Sequence, residues 1–208
     1  RVSFAIRPDC GINMAMTRRA FPDLAARTKP RPLDRAALEA LALHYVGRFA
    51  TSEARLTRYL GRKLFERGWD GEGVSSDAVE AAVAKCARLG FVDDAAFAAQ
   101  RGGALGRRGL GERRLRAQLN VDGIKADVAA PVLDQARDDR LSTALAFARR
   151  RRLGPFGAGM PADPKARDKI MAAFLRAGHD SQVARRILAI APGDDAALAE
   201  LDDDSNAR

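Results

Sequence analysis

Three stretches of this chain align without a gap at a spacing of 55 residues, and a repeat of that kind settles the architecture before any single motif does. The first reads RLTRYLGRKLFERGW (55–69), the second LGERRLRAQLNVDGI (110–124) and the third KARDKIMAAFLRAGH (165–179). Leu60, Leu115 and Ile170 coincide, as do Leu64, Leu119 and Phe174, and then Gly68, Gly123 and Gly178. An apolar pair at i and i+4, followed four residues later by glycine, describes an amphipathic helix with its stripe turned inward and an αL glycine at its end. A helical run precedes each such middle helix: LDRAALEALALHYVGRFA from Leu33, VDDAAFAAQRGGALGRRG from Val92 and DRLSTALAFARRRRL from Asp139. A third run follows each: SDAVEAAVAKCARLG, KADVAAPVLDQA or SQVARRILAI. Helices this short cannot bury a face alone, so they are expected to pack as three-helix units in series. The fold class is therefore expected to be all-α: three tandem three-helix repeats forming an elongated, curved array.

Composition agrees, because Ala, Leu, Arg and Glu dominate, aromatics are only 6% and strand signals are absent. Ser52, Ser76, Asp94 and Ser181 are expected to cap helix N-termini, with Glu53 or Asp77 near the positive dipole end. The stretch GPFGAGMPADP (154–164) holds too much Gly and Pro for a helix and makes a long connection inside the third repeat, as 71–75 makes a smaller one in the first. The boundaries expected are a basic, disordered extension at 1–33, repeats at 34–91, 92–138 and 139–192, and an acidic tail at 193–208.

Formal net charge is +9, and its distribution is informative. Residues 1–33 hold seven Lys or Arg against Asp9 and Asp23, while 193–208 holds six acids against Arg208, so the helical body is itself basic. A polyanionic partner follows, nucleic acid being the usual one, against the plainer reading of a solvated Arg-rich face. The tail (Asp194 to Asp204) is expected to shield that body from nonspecific DNA. Cys10 and Cys86 form neither a CxxC motif nor a dense disulfide framework; Cys86 reads as a small core residue. No apolar run is long enough for a membrane span and no secretory h-region is present, so a cytoplasmic location is expected. The chain starts at Arg1 with Met14 and Met16 downstream, which suggests a processed, truncated or mis-assigned start, and no function is rested on residues 1–30.

The candidate contact residues flank the apolar stripes. They are Arg55, Arg58, Arg62 and Lys63 on the first middle helix, Arg107, Arg108, Arg113, Arg114 and Arg116 around the second, and Arg185 with Arg186 on the last helix. Arginine forks suit phosphate and carboxylate recognition. Arg149 to Arg152 read instead as charges at a helix C-terminus. His44 and His179 are read as packing or surface residues, because a metal site needs several convergent ligands; no metal and no cofactor is expected. Trp69, directly after a helix-ending glycine, is read as core packing. Asp93 and Asp94 look like a helix start rather than an acid/base pair, and GGALGRRGLG lacks the GK[ST] ending of a phosphate loop. No enzyme is expected.

Taken with their order and spacing, LGFVDDAAFA (89–98) followed by GERRLRAQLNVDGI (111–124) resembles the central repeat of RecX proteins. SEARLTRYLGRKLFERGW (52–69) resembles that family's first repeat, and the Phe174, Leu175, Gly178, His179 ending its third; together they span 34–190. The resemblance implies a monomeric helical crescent lying in the groove of the RecA filament, meeting single-stranded DNA directly or within the filament, and suppressing ATP hydrolysis, strand exchange and filament growth in DNA repair, recombination and the SOS response. Gly102, Gly103 and Gly106 depart from the family pattern, and the helix holding them is expected to be bent, short or loosely packed. A DNA-binding module of helix-turn-helix type and a solenoid scaffold for acidic proteins are the alternatives; three equivalent repeats argue against the former.

Overall fold

The computed structural model describes residues 31–206, which form ten α-helices and one 3-10 turn. In chain order the helices are α1 (Arg35–Val46), α2 (Glu53–Arg67), α3 (Ser75–Arg88), α4 (Asp94–Arg107), α5 (Glu112–Asp122), α6 (Ala126–Asp138), α7 (Arg140–Arg151), α8 (Pro164–Arg176), α9 (Ser181–Leu188) and α10 (Asp195–Asn206). The 3-10 turn Gly154–Phe156 lies in the connection between α7 and α8. No strand occurs among the described residues beyond a single bridge between Leu33 and Trp69. The chain is thus all-α, and the residues of the expected N-terminal extension before Arg31 lie outside the described ones.

Short polar side chains start most of these helices by accepting free amides. Asp34 takes the Ala37 N–H at 2.7 Å, Ser52 that of Arg55 at 3.3 Å, Asp93 that of Ala96 at 2.9 Å and Asp180 that of Gln182 at 2.7 Å. Of the four expected caps Ser52 holds at its own helix, and Asp94 accepts an N-terminal amide of a different one, that of Glu53 in α2 at 2.9 Å. A cap residue must itself be extended to reach back to the first turn, and Asp93 (φ −138°, ψ 105°) and Asp180 (φ −73°, ψ 146°) occupy that place, leaving Asp94 and Ser181 as first helical residues. Ser76 sits inside the first turn of α3, whose capping position is Val74, and it bonds Asp77 instead. The expected αL cap holds at Gly123 (φ 77°, ψ 25°) but not at Gly68 (φ 87°, ψ 169°). There the chain turns into extended backbone, so that Leu33 donates to the Gly68 carbonyl and accepts from Asp70, both at 2.9 Å.

The apolar faces gather in three clusters. Leu38, Leu56, Leu60, Val79, Val83 and Cys86 join α1, α2 and α3; Phe97, Leu115, Leu119 and Leu133 join α4, α5 and α6. Leu145, Phe147, Phe174, Val183, Ile187 and Leu201 join α7, α8, α9 and α10. The aligned stripe points inward as expected, with Leu60, Leu115, Leu119 and Phe174 buried. Trp69 packs partly buried against the first cluster, and its indole N–H donates to the Gly73 carbonyl at 3.1 Å. Cys86 is buried, which pushes its thiol above the usual pKa.

Two further features stand out. α4 runs unbroken through Gly102, Gly103 and Gly106, and Gly102 is a contact position: a Cβ there would overlap Val132 Cγ1 of α6. Absence of a side chain lets α4 and α6 approach closely at that position, while Gly103 and Gly106 border a hollow of about 680 Å³ between α4, α6 and α7. The acidic tail, for its part, begins as helix α10, capped by Asp194 accepting from Ala197 N–H at 3.1 Å and docked through Leu198 and Leu201. The Leu198 and Leu201 spacing on one helical face was the signal for it.

Candidate partner-binding surface

The first two middle helices meet end to end, and Arg55 and Arg58 of the expected contact set are engaged there. Asp122, the last residue of α5, has a side chain only 5% exposed. Its carboxylate accepts from Arg101 Nε at 3.0 Å and Arg55 Nη1 at 3.4 Å, and from Gln118 at 3.4 Å. Arg55 and Arg101 also lie over Phe97, 5.7 and 5.6 Å from the ring centre. Ser52 Oγ donates to the Asp122 carbonyl at 2.6 Å and Arg58 Nη2 to that of Val121 at 2.9 Å. The N-terminal end of α2 therefore closes the carbonyl end of α5, a favourable meeting of opposite dipole ends. Arg55 and Arg58 hold this seam.

A second seam joins α5 to α8 through the main chain. Gly111 N–H donates to the Ala177 carbonyl at 2.9 Å and Arg113 N–H to that of Gly178 at 3.3 Å. A Cβ on Gly111 or on Gly178 would overlap the other segment's backbone. His179, 2% exposed, closes the seam with Nε2 3.0 Å from the Gly109 carbonyl, and Phe147 and Phe174 pack on its ring. Since a carbonyl only accepts, Nε2 carries the proton. Burial pulls the His179 pKa below its usual value, with the Gly109 hydrogen bond opposing.

Other expected contact residues carry partners on the surface. Lys63 and Arg62 pair with Glu66 at 2.6 and 3.7 Å, and the hydrogen bond from Lys63, ahead of the two charges, holds the Glu66 carboxyl below its usual pKa. Arg113 pairs with Asp180 at 3.4 Å and Arg116 with Glu112 at 2.5 Å. Arg107 and Arg108 are exposed at the end of α4, and Arg185 and Arg186 are exposed on α9. Arg149 is turned over the Phe156 ring at 4.8 Å, a packing role in keeping with its reading as a helix-end charge.

Two hollows bring unpaired cations together. One, about 710 Å³, has Leu110, Phe147, Leu153, Ile170 and Ala173 among its walls, with Arg114, Arg151, Lys169 and Arg176 around it. The other, about 680 Å³, lies between the C-terminal end of α1 and α4, where Arg48 and Arg107 stand among Tyr45, Phe49 and Phe97. No carboxylate lines either, and Arg114, Arg151, Lys169, Arg176, Arg48 and Arg107 have no ion-pair partner among the described residues. Sequence reasoning found only Arg114 and Arg107 of these six. Lys169 and Arg176, two turns apart on one face of α8 beside Ile170 and Ala173, were the missed signal.

Among the described residues no group of His, Cys, Asp or Glu is placed to hold a metal ion, and no helix is long and apolar enough to cross a membrane. The chain is 32% identical over 167 residues to the regulatory protein RecX of Myxococcus xanthus strain DK1622, covering 77% of this chain and 88% of that one. It is 32% identical over 133 residues to the regulatory protein RecX of Stenotrophomonas maltophilia strain R551-3, covering 64% and 79%. The crystal structure of RecX from Lactobacillus salivarius shares the fold with a TM-score of 0.52 at 17% identity, over 81% of this chain and 96% of that one. A second crystal structure, of a regulatory protein RecX, matches at 0.52 and 21% identity over 74% and 72%. No protein-family model matches the chain.

Proposed function

This chain belongs to the RecX family of regulatory proteins, and from that premise we propose that it binds the filament of the RecA recombinase on single-stranded DNA and lowers its ATP hydrolysis, strand exchange and growth. The observation that carries the reading is the similarity to the Myxococcus xanthus protein over most of both chains. Three apolar clusters joined by two seams support taking 34–91, 92–138 and 139–192 as three repeats. Each repeat then contacts only its neighbours, and the array can meet more than one recombinase subunit. The chain acts in the cytoplasm as a monomer, without cofactor or catalysis.

The hollow of Arg114, Arg151, Lys169 and Arg176 is the face offered to the filament, because free guanidinium groups beside apolar walls answer an acidic or phosphate-bearing lining. Arg108, Arg113, Arg116, Arg185 and Arg186, with Arg62 and Lys63 on α2, are further cations that the filament can meet. Arg55 and Arg58 contribute by fixing α2 to α5.

The test is single-strand-dependent ATP hydrolysis by the cognate recombinase, titrated with this protein and repeated with excess DNA. Inhibition below one protein per recombinase, persisting with excess DNA, is expected. No inhibition, or inhibition that excess DNA abolishes, would overturn the reading. Arg114→Glu with Arg151→Glu should raise the half-inhibiting concentration by about tenfold or more, as removal of interfacial charge pairs does.

A further inference from the structure

Tyr59 on α2, Tyr45 in the last turn of α1 and Phe49 in the connection between the two form a run of ring contacts. Tyr59 stacks on Tyr45 with centroids 4.2 Å apart and planes at 20°, and Tyr45 meets Phe49 at 5.3 Å and 47°. One end of the run is covered: the Arg62 guanidinium lies 5.7 Å from the Tyr59 centroid. The other is open, for Phe49 is 56% exposed and no further ring or cation covers it among the described residues. Phe49 and Tyr45 line the second hollow, and Phe97 lines it too, already overlaid by Arg55 and Arg101, which Asp122 holds in place.

What suits this hollow is a planar π-system carried on an anionic chain. A half-exposed phenylalanine gains by being covered, every nucleobase offers a flat face, and unpaired guanidinium groups attract phosphates. A volume of about 680 Å³ accommodates such a group. Duplex DNA keeps its bases stacked inside, so only a single strand presents them.

We propose that the hollow between α1 and α4 holds a base of a single nucleic-acid strand stacked on Phe49, with Arg48 and Arg107 on the neighbouring phosphates. The Tyr59, Tyr45, Phe49 run backs the base and keeps the Phe49 ring from turning away. Gln100, on the same wall, offers an amide that can donate or accept at a base edge, so binding is tolerant of base identity. This site deepens the DNA side of the functional reading and rests on it.

The test needs no recombinase, so its failure leaves filament regulation standing, and failure of regulation leaves the site standing. Fluorescein-labelled oligo(dT) is titrated with the full chain across a range of salt, following anisotropy. Phe49→Ala should weaken binding about tenfold with the salt dependence unchanged, because stacking carries no counterion term. Arg48→Gln with Arg107→Gln should lower the slope of log affinity against log salt by about 1.4, as two lost phosphate contacts on a single strand imply. Phe49→Trp should bind as the unaltered chain does, with emission quenched by saturating oligo(dT) beyond any change that Trp69 shows in the parent. Equal affinity for Phe49→Ala and the parent, or unchanged emission from the Phe49→Trp variant, would overturn the proposal. Displacement of the oligonucleotide by poly-glutamate with no effect of Phe49→Ala would assign the hollow to an acidic protein segment instead.

Discussion

Asp122 is the residue on which most side-chain bonds between α2, α4 and α5 converge, and its removal has a definite cost. Asp122→Ala leaves two guanidinium groups, each about a third exposed, facing a pocket without a counter-charge. Breaking a buried ion pair by one partner costs about 3–5 kcal/mol, and solvent access to both arginines brings the expectation to about 2–3 kcal/mol, read from urea midpoints. His179 makes stability depend on pH. Its folded pKa lies below the ordinary 6.5 that the unfolded chain keeps, so in the window between them the unfolded state binds more protons. The His179 contribution is complete above the ordinary value and is lost as the pH falls from about 7 through the folded value. Unfolding at pH 7.5 and 5.5 should therefore show a smaller loss for His179→Gln than for the parent chain. Sequence alone placed Arg55 and Arg58 on the right helix, beside its apolar stripe, but could not show their bonds to Asp122 and Val121, since nothing local announces a carboxylate or a carbonyl that arrives from another repeat. His179 as a packing residue was readable from the absence of companion ligands; its bond to Gly109 was not.

Helix positions were legible because the apolar period repeats three times, and three copies of one pattern correct each other. The ends were less so: the cap falls on whichever residue is extended, and Asp93 and Asp180 each stand one place before the residue the pattern favoured. α4 shows a deeper reason for error. Glycine in a helix is unfavourable by about 1 kcal/mol relative to alanine when nothing surrounds it, and that local rule led to the expectation of looseness. Packing reverses the rule at one position only. Gly102→Ala should destabilise by about 1–3 kcal/mol, because Val132 is a stiff side chain that cannot swing clear. Gly106→Ala meets only Thr143 at 3.9 Å and Gly103→Ala only the movable end of Arg107 at 3.3 Å, so each should stabilise by about 0.5–1 kcal/mol. Thermal unfolding of the three variants checks the contrast in sign.

Across the molecule, charge and cohesion are arranged separately. The body between residues 34 and 192 is basic and the segment after it is acidic, yet that segment also supplies Leu198 and Leu201 to the third cluster. Deleting it would therefore expose apolar surface as well as remove charge. Neutralising the three consecutive acids as Asp202→Asn, Asp203→Asn and Asp204→Asn isolates the electrostatic part, and naked single-strand affinity at low salt should rise severalfold; an unchanged affinity would show that the tail shields nothing. The joint between α5 and α8 also bears on how such a chain can diverge. Its hydrogen bonds run from main-chain amides to main-chain carbonyls, so any side chain but that of proline can stand at Arg113 and keep them. Gly111 and Gly178, by contrast, have no such freedom: a Cβ on Gly111 would overlap the Gly178 carbonyl, and one on Gly178 the Arg114 amide, while Gly178 also holds a φ of 91° that other residues rarely adopt. The charges around that joint can therefore change without touching its hydrogen bonds, whereas either glycine, replaced alone, would force the two segments apart.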